Sequence, residues 1–309
     1  MKGRILELLR RSDGYTSGQA LSHSLGTSRV SIWKHIRALK DAGYVIEASP
    51  RGYRLISSPD LLLPYEFPGL EHRIRYFADI GSTMDAAREL ARQGADDGMV
   101  VIAESQSRGR GRLGREWLSP RGGIYCTILL RPRISPVYAP RINLMASIAV
   151  ATTIRCLYNI DVGLKWPNDV LVRGEKVCGI LAEMDAELDR VNFVNLGIGI
   201  NANAAVPQFE TRATSLKATV GRDISRKELL SELLREIDRR TPQLMGPELI
   251  EQWRALSETL GKEVSIRTPG GVITGQAIDI DDTGALIIRR PDGALTEAVA
   301  GDCIHGLRS

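Results

Sequence analysis

The nine residues Gly109–Trp117, GRGRLGREW, decide how this chain is read. Arg110, Arg112 and Arg115 are interleaved with glycines and followed by an aromatic ring, a mixture for which a hydrophobic core has no use. Glycine frees the backbone to wrap an anion with its N–H groups, and the arginines add positive charge. Trp117 offers a flat face to a planar ring. Such a loop suits a ligand that is both anionic and aromatic, for example a nucleotide or an acyl-adenylate.

Gly109, Gly111 and Gly114 also spell G-x-G-x-x-G, the dinucleotide fingerprint. That fingerprint requires a helix opening directly behind it and packed on the preceding strand. Here the chain runs on through Ser119, Pro120, Gly122 and Gly123, which is no helix start. Arginines also stand where small residues must let backbone approach a pyrophosphate. A doubly wound dinucleotide domain is therefore not expected. The plainer competitor is a solvated basic loop that brushes a nucleic acid.

Around the loop, from about residue 70, the pattern is mixed α/β. Strands are expected at Arg73–Ile80, Met99–Glu104, Ile124–Leu130, Leu164–Trp166, Val170–Val172, Val177–Met184 and Val191–Ile200. Helices are expected at Thr83–Gln93, with Ser82 or Thr83 as cap, and at Ile142–Leu157. Two more, at 225–240 and 247–260, should pack on one face. Short turns such as Arg173-Gly174-Glu175 imply hairpins and a largely antiparallel sheet.

Polar clusters punctuate this body. Gly81-Ser82-Thr83 ends a strand and opens a helix, leaving hydroxyls and orphan N–H groups for an acceptor-rich ligand, or simply forming an N-cap. Lys165-Trp166-Pro167-Asn168-Asp169 sets a cation, an aromatic ring and a carboxylate at a strand end. Lys176 lies across the following hairpin, where it can meet Asp169. A carboxylate able to hold Mg²⁺ and a lysine able to touch phosphate are tools of nucleotidyl transfer, although a surface ion pair uses the same residues. Gly197-Ile198-Gly199-Ile200-Asn201-Ala202-Asn203 ends a buried strand with glycines, a sign of close approach by backbone or ligand.

The N-terminal segment is different in kind. Residues 1–57 hold ten Lys/Arg against four Asp/Glu, while the other 252 residues are nearly neutral, within a chain of net charge +4. A basic head on a neutral body suggests that the head alone meets a polyanion. Lys2–Arg11 reads as a helix, and Thr16-x-x-Gln19 is a capping-box pattern opening a second. Ser28 is a plausible N-cap for a third, which ends before Gly43 and turns Ile32, Ile36 and Leu39 inward. Helix, glycine turn and helix make a helix-turn-helix whose second member enters the major groove. Tyr44–Glu47 and Tyr53–Ile56 flank Pro50-Arg51-Gly52 as a wing. Ser28, Arg29, Ser31, Lys34, Arg37 and Arg51 are the candidate DNA contacts. Trp33 is read as a core anchor rather than a base reader, and His23 and His35 as helix-surface or boundary residues. Residues Ser57–Pro68 read as a linker that packs partly on its neighbour.

Length implies two or three domains, and no apolar run is expected to reach the length of a membrane span. The N-terminus lacks a signal-peptide core. Cys126, Cys156, Cys178 and Cys303 are scattered without a C-x-x-C pair, so neither a zinc site nor a disulfide framework is suggested and a reducing cytoplasm is expected.

GRGRLGREW, KWPNDV, KVCGILAE and GIGINAN, in that order, resemble the biotin–protein ligases, and the winged helix in front resembles the bifunctional subgroup, the biotin operon repressors. Glu263–Leu307 is similar to the family's SH3-like segment. The resemblance covers essentially the whole chain. It implies an α+β protein with a winged helix-turn-helix at 1–58, a central mixed α/β ligase domain with a largely antiparallel sheet at 66–261, and an SH3-like β-barrel at 262–309. It also implies a two-step ligase: biotin and MgATP give biotinyl-5′-adenylate, and a lysine of the biotin carboxyl carrier protein of acetyl-CoA carboxylase attacks the mixed anhydride.

Carried over by position, Ser82, Thr83 and Gln106 would hydrogen-bond the biotin head, while Arg110, Gly111 and Arg112 would close over carboxylate and phosphate. Lys176 would sit at the reacting centre with Arg112 and Asp169, and Asp169 would organise Mg²⁺. Arg115, Lys165, Asn168 and Asn201 would contact the nucleotide, with Trp117 against the adenine. Met84 and Gly81 depart from the commonest family pattern, which has Asn and Asp there. In the repressor subgroup the adenylate is also corepressor and favours a homodimer that binds operator DNA. The alternatives are a lipoate-type protein ligase and a non-catalytic biotin-sensing repressor.

Overall fold

The computed structural model describes residues 1–206, 213–268 and 270–306 and divides into two units, Met1–His72 and Arg73–Ser309. Leu307, where the resemblance ends the C-terminal segment, lies outside the described residues.

In the first unit, α1 (Lys2–Arg10), α2 (Gly18–Leu25) and α3 (Arg29–Asp41) precede a hairpin of β1 (Val45–Ser49) and β2 (Gly52–Ser57). Leucine and isoleucine at helical spacing build one core from Ile5, Leu6, Leu9, Leu21, Ile32, Ile36 and Leu39. The cap of α2 is Ser17, whose hydroxyl accepts from the Ala20 amide at 3.0 Å, and not the Thr16 of the expected capping box. Thr16 instead exchanges two backbone hydrogen bonds with Tyr53, tying the wing to the start of α2. Gly52, at φ +127°, sits so close to Ser17 that a side chain there would collide with it. The linker packs within the unit: Leu62 and Phe67 are buried, and Glu66 accepts from Tyr44 and, at 2.8 Å, from Arg10.

The second unit opens with β3 (Ile74–Phe77), α4 (Thr83–Arg92), β4 (Val100–Ala103), β5 (Ile124–Leu130) and α5 (Pro140–Tyr158). It continues with β6 (Gly163–Lys165), β7 (Asp169–Val172), β8 (Glu175–Ala186) and β9 (Val191–Ile200). These strands form one sheet in the order β3-β4-β5-β9-β8-β7-β6, antiparallel except for β3 with β4. The expected strands are thus present, most of them trimmed or extended by a few residues. Then come α6 (Leu216–Val220), α7 (Arg226–Arg240) and α8 (Glu248–Leu256). Both α7 and α8 pack on α5, and α8 also meets β6.

With the turn before it, α5 covers Pro136–Tyr158, which by length and composition is apolar enough to cross a membrane, contrary to the sequence expectation. Two-thirds of its apolar window (67%) is buried inside the fold, as the central helix between two layers must be.

The chain ends in β10 (Glu263–Thr268), β11 (Gly271–Ile280), β12 (Leu286–Arg289), β13 (Leu295–Ala298) and β14 (Asp302–His305), a five-stranded antiparallel sheet ordered β13-β12-β11-β10-β14. Several side chains fasten it to the rest of the unit, Trp166 and Arg141 among them. Trp166, buried, donates its indole N–H to the Gly284 carbonyl at 3.2 Å. Arg141 gives its guanidinium to the carbonyls of Leu244, Gly246 and Asp282.

Candidate functional site

The cross-strand row Asp169–Gly179–Gly199–Tyr125, with Leu181 and Gly197 of the next row, forms the floor of a cavity of about 360 Å³. Glycine is required on this floor because other groups lie against it. A Cβ on Gly179 would come within 2.7 Å of the Trp117 ring, and one on Gly197 within 2.6 Å of the Met84 sulfur. The space that side chains would fill is held by Trp117 at one end and α4 at the other.

At the α4 end a hydrogen-bond relay links sheet to loop. Thr127 Oγ1 donates to Thr83 Oγ1 at 2.9 Å, and Thr83 donates through both its amide (2.8 Å) and hydroxyl (3.0 Å) to Gln106 Oε1. Gln106 Nε2 donates to Ser119 Oγ at 2.9 Å, which donates to the Trp117 carbonyl. Beside this relay Ser82 Oγ is buried with no hydrogen-bond partner among the described residues. Thr83 and Gln106, the relay's two central members, line the cavity, so this end of the site is polar.

The loop Gly109–Trp117 folds back on itself as a short hairpin. Gly111 N–H donates to the Arg115 carbonyl at 2.8 Å and Trp117 N–H to the Gly109 carbonyl at 3.0 Å. Its tip holds Leu113 at φ 56° and Gly114 at φ 72°, so no helix follows and the dinucleotide reading fails on geometry as well as pattern. Each arginine has its own anchor. Arg110 pairs with Asp85 at 2.9 Å and with Glu183. Arg112 reaches Asn168 Oδ1 at 3.4 Å. Arg115 forms a two-pronged pair with Asp302 of the C-terminal sheet. Burial pulls the Arg112 guanidinium below its ordinary range, and the nearby charges of Asp169 and Asp302 oppose that pull. A partly desolvated cation of this kind gains most from an anionic ligand.

Lys176 and Asp169 meet across the hairpin at 2.7 Å, and Lys176 Nζ lies 5.2 Å from the centre of the Trp117 ring. Thr83, Gln106, Arg110, Gly111, Arg112, Arg115, Trp117, Asn168, Asp169 and Lys176 therefore line one cavity. Lys165 and Ser82 do not line it. Lys165 lies near Asp302 and Cys303. Asn201 lines a second, small pocket with Leu118, Pro120 and Ala204, on the other side of Trp117, and donates to the Thr214 carbonyl at 3.1 Å. Trp117 borders both spaces and so acts as their partition.

Met84 lines the cavity, buried against Gly197, whereas Gly81 lies beneath the Arg108 guanidinium and does not line it. Tyr125, Gly179 and Asp302 also line it and were not among the sequence candidates. The strand glycines Gly179 and Gly199 carried a signal in their position, whereas Asp302, some 190 residues from its arginine, carried none. The buried thiols of Cys126 and Cys303 are pushed up to about 12 by burial, which keeps them protonated and out of the chemistry.

In the first unit α3 presents Arg29, Val30, Trp33, Lys34 and Arg37 to solvent. Trp33 is 50% exposed with Arg37 stacked over it at 5.7 Å, so it is a surface group and not the expected core anchor. Ile32, one residue before it, and Ile36, three residues after it, fill the core instead. Ser28 caps α3 by accepting from Ser31 N–H at 3.1 Å, and Ser31 is half-buried. On the wing Arg51 and Arg54 stack on Tyr15, at 4.6 and 5.3 Å. His23 is exposed and His35 half-buried, as boundary residues are.

The profile of the Biotin/lipoate A/B protein ligase family matches residues 76–201, that of an HTH domain residues 3–54, and that of the Biotin protein ligase C terminal domain residues 259–306. The bifunctional ligase/repressor BirA of Bacillus spizizenii is 38% identical over 94% of this chain and 94% of its own. The Escherichia coli BirA is 29% identical over 97% of this chain. A biotin–[acetyl-CoA-carboxylase] ligase of Mycobacterium tuberculosis is 39% identical over 74% of this chain and 87% of its own. Among solved structures, the Aquifex aeolicus biotin protein ligase in complex with biotin and ATP superposes with a TM-score of 0.65 at 29% identity, covering 75% of this chain and 98% of that one. With a match running from the helix-turn-helix head through the cavity to the C-terminal sheet, the chain belongs to the family of bifunctional biotin protein ligase/repressors.

Proposed function

We propose that this protein joins biotin to a carboxyl carrier protein through biotinyl-5′-adenylate and represses transcription through its helix-turn-helix head. The observation that carries the reading is the meeting of Lys176, Asp169 and Arg112 between a polar end and an aromatic wall. Biotin's ureido group is assigned to Ser82, Thr83 and Gln106, and its aliphatic chain to the glycine floor. Its carboxylate then reaches Lys176 and Arg112, where the α-phosphate of ATP must also lie. Two anions brought together repel, and the clustered cations offset that repulsion as charge shifts from carboxylate to pyrophosphate. Arg110 and Gly111 close the loop over the product, excluding water from a hydrolysable anhydride. The nucleotide is assigned to Asn168, Arg115 and Trp117, with the adenine toward Asn201.

Mg²⁺ commonly binds through one or two carboxylates with phosphate oxygens and water completing its shell. Among the described residues no group of three or more His, Cys, Asp or Glu could hold a metal ion, which fits an ion that arrives with ATP and is met by Asp169. Its chemistry there would be to neutralise phosphate charge. The carrier lysine, proposed to belong to acetyl-CoA carboxylase, then attacks the acyl carbon and expels AMP.

For DNA, Arg29, Lys34, Arg37 and the wing's Arg51 are assigned to the operator, while Ser28 and Ser31 set the start of α3. We also propose that the adenylate favours a homodimer through the central sheet, so that two heads reach two half-sites, since a ligand that orders loops can stabilise the surface those loops build. A cytoplasmic location accords with this role. The test is biotin-dependent ATP–pyrophosphate exchange and carrier labelling, followed by operator binding with and without adenylate. Exchange with lipoate in place of biotin, or operator binding indifferent to adenylate, would overturn the respective half.

A further inference from the structure

Arg226 is the first residue of α7, just after the cap Ser225, and its side chain is 2% exposed. A cation there faces the positive end of the helix dipole, so helix formation does not account for it. A buried ion pair is also no automatic source of stability. The contacts it makes explain its position. Arg226 Nη2 donates to Glu104 Oε2 at 2.8 Å, where Glu104 is 1% exposed, and Nη1 donates to the Gly123 carbonyl at 2.8 Å.

Glu104 and Gly123 sit where β4 and β5 part. The last β4–β5 pair is Ala103 with Tyr125. Beyond it one strand runs on to Gln106, and the other is entered from the loop carrying Trp117 and Ser119. Those branches touch again at Gln106, whose amide donates to the Ser119 carbonyl at 3.1 Å and whose side chain donates to Ser119 Oγ. Asn203 docks the same helix start to the end of β9, accepting from Ile224 N–H at 2.8 Å and donating to the Ile224 carbonyl at 2.9 Å.

We infer that Arg226 and Glu104 are positioning residues for the biotin end of the site: the pair staples the fork between β4 and β5 and so sets the distance between Gln106 and the Ser119–Trp117 loop. This rests on the reading of Gln106 as a biotin contact. Neither residue lines the cavity, so the effect passes through Gln106 and Ser119.

The test uses the full-length chain carrying Arg226→Met, Glu104→Gln, or Glu104→Leu with Arg226→Met, and Ile237→Ala as a control that loosens α7 elsewhere. Each variant is assayed for melting temperature, KM for biotin and for ATP, and hydrogen exchange of the Gln106 and Trp117 amides. Both single variants should raise KM for biotin about tenfold, the equivalent of one misplaced hydrogen bond, with KM for ATP moving less than about twofold. Amide exchange at Gln106 should quicken, and the apolar pair should regain melting temperature without regaining biotin KM. Ile237→Ala should melt earlier with KM unchanged. Recovery of KM together with stability in the apolar pair, or unaltered exchange at Gln106, would overturn the inference. Exchange is read without any ligand, so it tests the staple even if wild-type protein proved not to use biotin, which would refute the functional reading instead.

Discussion

Replacing Gly179 by alanine should leave the fold standing and damage the site. The new Cβ would lie 2.7 Å from Trp117 Cζ3 and 3.2 Å from Cε3 and Cη2, against a comfortable carbon separation of about 3.5–4.0 Å. The indole must therefore lift by about 1 Å. It is half-buried and borders a cavity, so it has room to do so. Gly179 has no positive φ, and alanine in a strand gains about 0.5–1 kcal/mol over glycine. Overpacking costs about 1–3 kcal/mol where nothing can yield, and here the ring yields. Net stability should then change by less than about 1 kcal/mol, or roughly 2–4 °C in Tm for a unit of this size. The cost falls on the ligand, which meets a displaced wall: a penalty of about 1–3 kcal/mol, or roughly 5- to 150-fold in KM for ATP and in adenylate affinity. Pyrophosphate exchange at varied ATP, with thermal melts with and without biotin and MgATP, measures both. An unchanged KM for ATP, or a melt lowered by more than about 8 °C regardless of ligand, would refute the reasoning.

Arg112→Gly should hasten adenylate dissociation more than it slows synthesis, by about 10- to 100-fold, because a charge-assisted contact of about 1.5–3 kcal/mol to bound phosphate is lost; dissociation followed by single-turnover transfer checks it. Lys176→Gln should lower adenylate formation by about 10²–10³ with Tm nearly unchanged, since its pair with Asp169 is only partly buried, and pyrophosphate exchange reports the loss. Trp33→Ala should cost the head little stability because the ring is half exposed, yet weaken operator binding, while Lys34→Gln should reduce the salt slope of binding by about 1. The hydrogen bonds from Arg115 hold the Asp302 carboxyl below its ordinary range. A carboxyl depressed in the folded state contributes above its unfolded pKa, about 4, and loses that contribution as pH falls through the lower folded value. Hydrogen exchange in the Gly109–Trp117 loop should then show the same protection from about pH 6 to 8, once corrected for intrinsic rates, and Asp302→Asn should reduce it.

Local patterns explain how much was legible in advance. Alternating apolar residues and short turns are properties of a few neighbouring positions, so Ile124–Leu130 and Val191–Ile200 were read to the residue, as was the turn that denies GRGRLGREW a following helix. The basic head showed itself by charge alone. Helical periodicity, however, names a face only when the ring is unambiguous. Trp33 lies beside the apolar stripe of α3, and only packing of Ile32 and Ile36 turned it outward.

What the sequence by itself determined is therefore the set of elements, the family and the chemical kit of arginines, lysine and carboxylate, because each is written in residues close together along the chain. Tertiary structure decided which of them share a cavity. Lys165 and Asn201 sit in motifs with Asp169 and Gly199 yet do not line the main space: Lys165, the cross-strand partner of Asp169, stands on β6 at the edge of the sheet, and Asn201 lies past the end of β9 in the second pocket. Asp302 enters it only because β14 is carried there by the C-terminal sheet, and Arg226 meets Glu104 only because α7 begins at the β4–β5 fork. Those contacts depend on register and docking between distant segments, which no local run of residues encodes.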